Sequence, residues 1–130
     1  MENDKLALRK SQAGMRFIAQ MTIYNSEDEE RLRRFISESY HEDALMQANP
    51  QQRLANERAM LAQIGKVRVK QVAAANEYQV IVILEAQKTP GAYYYMEMQV
   101  EEDYPHRIRH YLLAPLQPAA TEQPDGGSST

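Results

Sequence analysis

Residues 66–86 read KVRVKQVAAANEYQVIVILEA, and residues 92–101 read AYYYMEMQVE. Val67 and Val69 in the first stretch and Tyr94, Met96, Met98 and Val100 in the second recur at every second position, the period of a strand and not of a helix. Strands are therefore expected over Lys66–Ala74, Tyr78–Ala86 and Ala92–Glu101. In the second, Tyr78, Val80, Val82 and Leu84 share one face while Ile81 and Ile83 occupy the other. In the third, Tyr94, Met96, Met98 and Val100 point one way, and Tyr93, Tyr95, Glu97 and Gln99 the other. Lys88-Thr89-Pro90-Gly91 is a turn by its chemistry, and a second turn at Asp103-Tyr104-Pro105 leads to a last strand, Arg107–Leu113. Connections this short favour an antiparallel meander.

Upstream of Gly65 the period is helical. Leu6, Ala13, Phe17, Met21 and Tyr24 are spaced for one helix over Asp4–Tyr24, with Gly14 inside it at a cost of about 1 kcal/mol and a break or kink expected there. Ser26-Glu27-Asp28-Glu29 reads as a capping box opening a second helix that buries Leu32, Phe35, Ile36 and Tyr40. Phe35, at the centre of that stripe, is expected among the most buried residues. Asn49-Pro50 starts a third helix, with Leu54, Met60, Leu61 and Ile64 as its stripe and Gly65 as a left-handed stop. Residues 1–116 thus form a single α+β domain: two to three N-terminal helices packed on one face of a curved four-strand antiparallel sheet. Residues 117–130 hold prolines, glycines and small polar residues, and read as a disordered tail or linker remnant, dispensable for stability.

The chain of 130 residues is 43% hydrophobic, with no cysteine and a net charge of −3. That content suffices for a core, and disulfides and thiolate metal sites are excluded. No apolar run approaches the length of a membrane span, and the acidic opening Met1-Glu2-Asn3-Asp4 is unlike a signal peptide; a cytoplasmic protein without membrane partners is expected. Arg31, Arg33 and Arg34 follow Glu27 to Glu30 in one helix, an arrangement that suits the helix dipole and not a nucleic-acid surface.

Tyr24-Asn25-Ser26-Glu27-Asp28, the pair Leu32 and Phe35, Gln52-Arg53-Leu54 and Pro105-His106-Arg107-Ile108 resemble recurring features of one superfamily. It is that of nuclear transport factor 2 and the SnoaL-like proteins, with their cystatin-like cone. The resemblance spans about Met15 to Leu113 and is closest to short bacterial modules found in front of serine hydrolases. It implies helices packed inside a curved sheet, a pocket between them, and dimerisation through the outer sheet face. The chain itself carries no Ser-x-x-Lys and no Gly-x-Ser-x-Gly.

Residues able to carry chemistry are few. His106 and His110 fall about 13 Å apart if both lie on one strand, too far to share a metal. His41-Glu42 is followed by Leu45 where a zinc motif needs His, so it reads as a helix end; no metal and no cofactor are expected. Glu97 shares a strand face with Tyr95, and His110 neighbours them on the next strand. Inside a cone, these three would suit proton abstraction beside a carbonyl. The leading expectation is a non-catalytic interaction and dimerisation module with room for a small apolar ligand between helices and sheet. A small pocket enzyme, an isomerase or cyclase using Tyr95, Glu97 and His110, is the alternative. Because Tyr78–Ala86 is apolar on both faces and helices can cover one, a homodimer through the outer sheet face is expected.

Overall fold

A computed structural model describes residues 2–116. Five helices, α1 (Glu2–Arg9), α2 (Gln12–Ser26), α3 (Glu29–Ser39), α4 (Glu42–Gln47) and α5 (Pro50–Ile64), precede four strands. These are β1 (Val67–Asn76), β2 (Gln79–Ala86), β3 (Tyr93–Val100) and β4 (Ile108–Pro115). Residues 117–130, expected to be a tail, lie outside the described residues.

The expected first helix is two helices, and the break falls at Ser11 instead of Gly14. Ser11 is extended and caps α2: its Oγ accepts from Gly14 N at 3.0 Å and donates to Asn76 O at 2.6 Å. The sheet thus holds the break in place. Gly14 serves a close approach, since a Cβ there would lie 2.2 Å from the Leu8 carbonyl oxygen. The expected capping box also shifts. Ser26 ends α2 by donating to Ile23 O, and Asp28 is the cap of α3, accepting from Arg31 N at 3.1 Å.

His41 is not a helix end but the cap of the short, unexpected α4, its Nδ1 accepting from Asp43 N. The start at Asn49-Pro50 is as read, with a full capping box closed by Gln52. Gly65 follows α5 at φ 76°, ψ −159°, which is not the expected left-handed stop but a conformation reserved to glycine all the same.

The sheet is a meander of order β1-β2-β3-β4, antiparallel throughout. Irregular register between Val69 and Gln71, Val72 and Ala74, and Gln99 and Val100 bends it, as bulges do. Helices α1 to α3 cover one face, α4 lies against β4, and α5 stacks on α3. Val80, Val82, Leu84, Met96, Met98 and Ile108 line the covered face and are almost wholly buried.

From the helices come Leu8, Phe17, Tyr24, Leu32 and Ile36. Phe35 is a correction: it is half-buried at the margin of the core. The inward line of α3 is Leu32, Ile36 and Ser39, and Phe35 sits at its margin, about 100° around the helix from Ile36. Its neighbour Ile36 takes the central place, 1% exposed.

Candidate functional site

Tyr95, Glu97 and His110 all lie on the outer face, away from the helices and not inside the cone. The register gives that face four rows across the strands. Arg68, Glu85 and Tyr93 form the first, and Gln71, Ile83, Tyr95 and Ala114 the second. Ala74, Ile81, Glu97 and Leu112 form the third, and Asn76, Gln79, Gln99 and His110 the fourth. Glu97 Oε1 accepts from the Tyr95 hydroxyl at 3.1 Å, and Oε2 from Gln79 Nε2 at 2.8 Å and Gln99 Nε2 at 3.1 Å.

Partial desolvation works to raise the Glu97 carboxyl, but the bonds from Gln99, Tyr95 and Gln79, with the His110 charge, hold it below the usual range. A general base needs the opposite adjustment. Three donors occupy this carboxylate already. His106, with φ 61°, precedes β4 and stacks on Tyr78 at 5.9 Å, so it shares no strand with His110. Among the described residues no three His, Asp or Glu side chains converge as a metal site would need.

On the covered face lies a cluster that the sequence reading missed. Glu57 of α5 is 7% exposed. It falls in the apolar stripe between Leu54 and Leu61, and Gln20 falls likewise between Phe17 and Tyr24 of α2. A polar residue inside each apolar stripe was the available signal. Gln20 Oε1 accepts from the Tyr40 hydroxyl at 2.8 Å, which leaves its amide nitrogen for Glu57. The Tyr111 hydroxyl of β4 faces the same carboxylate. Tyr24 is turned to Gly65 O, donating at 2.8 Å.

Arg53, one turn before Glu57, donates to Ala44 O and Ala48 O and lies over the Tyr40 ring at 4.7 Å. Glu57 therefore has neutral hydrogen-bonding neighbours and no ion pair among the described residues. Burial pushes its carboxyl up to about 7, with Tyr111 and Gln20 acting against the rise. Burial also raises the Tyr111 and Tyr40 hydroxyls, so both stay protonated donors.

Two spaces meet at Glu57 and Tyr111. Between α2 and the sheet lies a cavity of about 20 Å³, room for about one water molecule. Between α5 and β4 runs an open groove of about 370 Å³, lined also by Ile36, Arg53, Met60 and Leu113. A third feature is structural. The Arg16 guanidinium donates to Pro105 O at 2.7 Å, His106 O at 3.1 Å and Ser39 Oγ at 3.2 Å, tying the β3–β4 turn to α2 and α3.

No helix among the described residues is long and apolar enough to cross a membrane. The shape, a curved α+β fold with N-terminal helices packed on a four-strand antiparallel sheet, is consistent with the nuclear transport factor 2-like and SnoaL-like superfamily without marking a specific family. No family model, no curated protein and no solved structure matches the chain.

Proposed function

We propose that the protein is a non-catalytic interaction module that pairs with a second copy of itself through the outer face of its sheet. The observation that carries this reading is the distribution of side chains over the four rows. The two middle rows are apolar apart from Gln71 and Glu97, with Ile81, Ile83, Tyr95, Leu112 and Ala114 left uncovered by any helix. Leu112 remains 43% exposed. The two flanking rows are polar or charged. An apolar centre with a polar rim is the anatomy of a protein interface.

Area favours a second copy over a small ligand. Four strands about 4.8 Å apart, paired over about eight residues, span roughly 500 Å² per subunit, or about 1,000 Å² for a pair, near the lower bound for a specific contact. Two copies that meet through the same patch close by a two-fold axis. Closure has to accommodate the Glu97 carboxylate, which accepts from three neutral donors.

Sedimentation equilibrium at micromolar concentration tests the pairing, with an expected mass of twice the 15.0 kDa subunit. Ile83 faces outward and Val82, fully buried, faces the helices. Ile83→Lys should give a folded monomer, whereas Val82→Lys should unfold the subunit. A wild-type chain that remains monomeric throughout ends the proposal.

A further inference from the structure

We propose that the groove between α5 and β4 binds a small organic cation, an ammonium group on an apolar body, with the Glu57 carboxylate as its partner. The site is distinct from the outer sheet face and does not depend on pairing there. Its volume of about 370 Å³ lies within the range of small-molecule pockets. Its walls include Ile36, Met60 and Leu113, which suit an apolar body.

Where the groove meets the core stands Glu57, more than nine-tenths buried. A buried carboxylate without a counter-charge is costly and is normally paired or protonated. Among the described residues Arg53, one turn before Glu57 on α5, is held by the carbonyls of Ala44 and Ala48 and by the Tyr40 ring. What remains around the carboxylate is the Gln20 amide and the Tyr111 hydroxyl, both neutral.

An ammonium group supplies the missing charge and donates to the carboxylate and to the tyrosine oxygens beside it. An anion would meet the Glu57 charge. A metal ion would find one carboxylate where it needs three or more ligands. A neutral ligand would leave the carboxylate uncompensated. The titratable groups facing the site are Glu57 and Arg53 of α5, Tyr24 of α2, Tyr40 after α3 and Tyr111 of β4. Burial raises the three tyrosines, so of the groups facing it Glu57 alone changes charge near neutrality.

The test uses the full chain at pH 8, with 2-phenylethylammonium and its neutral counterpart 2-phenylethanol as probes in calorimetry. The ammonium probe should bind about tenfold or more tighter than the alcohol, as expected when a charge-assisted bond replaces a neutral one. Glu57→Gln should abolish that preference, bringing the two probes to within about twofold of each other. Carbon-13 NMR of the Glu57 carboxyl provides a readout that needs no variant: the ammonium probe should lower its pKa and the alcohol should not. Equal binding of the two probes, no binding at millimolar concentration, or a preference that survives Glu57→Gln would overturn the proposal.

Discussion

Glu57 and Gly14 are single residues whose roles invert the usual expectation for their types. Replacing a mid-helix glycine by alanine ordinarily stabilises by up to about 1 kcal/mol. At Gly14 the added methyl would occupy space already held by the Leu8 backbone, at 2.2 Å from its carbonyl oxygen. Gly14→Ala should therefore destabilise, by about 2 kcal/mol or more, because backbone must move and Leu8 leave the core. Denaturant unfolding measures it, and a stabilised variant would mean that α1 does not pack where it is described.

Glu57 makes stability depend on pH in a direction opposite to most acids. Its carboxyl sits at about 7 folded and near 4.5 unfolded, so between these values the folded state holds the extra proton. Stability is then fully present below about pH 4.5 and declines as pH rises through 7, by roughly 3 kcal/mol at most. Glu57→Gln should remove that slope in urea titrations at pH 5 and pH 8. Carboxyls held low, such as Glu97 and Glu101, act in the acid range below this window. Neither role was legible beforehand, since Gly14 answers to Leu8 across the break between α1 and α2 and Glu57 to Tyr111, 54 positions later.

At the scale of elements, the sheet was legible and the helix ends were less so. The strand period runs through Tyr78–Ala86 and Tyr93–Val100, so which residues share a face of β2 and β3 followed from alternation, but which face of β2 the helices cover did not, because Val80–Leu84 is apolar on both. Local signals also served at Asn49-Pro50, where cap and capped amide are three residues apart. They failed at Ser11, whose hydroxyl bonds to Asn76 O in the sheet, and at Asp28, which took the cap from Ser26. On α3 the stripe was right and its centre wrong. Ile36→Ala should cost about 2–5 kcal/mol, and Phe35→Ala less, reversing the order expected from side-chain size. The β3–β4 turn depends on Arg16 in the same long-range way. Arg16→Ala removes three bonds to the turn and α3, and should cost about 2 kcal/mol, with Arg16→Lys recovering part.

For the whole molecule, the two faces of one sheet differ in what covers them. Helices bury the inner face, and among the described residues nothing covers the middle rows of the outer one. If two copies close over that face, folding and association become linked, and the folded state gains stability with concentration by mass action. A tenfold rise in concentration adds about 1.4 kcal/mol per dimer. Spread over the unfolding entropy of two subunits, that corresponds to roughly 2–3 °C in midpoint. The wild-type midpoint, read by calorimetry, should climb by that amount between 5 and 50 micromolar. Ile83→Lys should show a midpoint independent of concentration, because a buried lysine facing its symmetry mate prevents closure while leaving the helix-covered core intact. A midpoint that does not move in the wild-type chain would mean that subunits do not pair, and that the apolar middle rows face water.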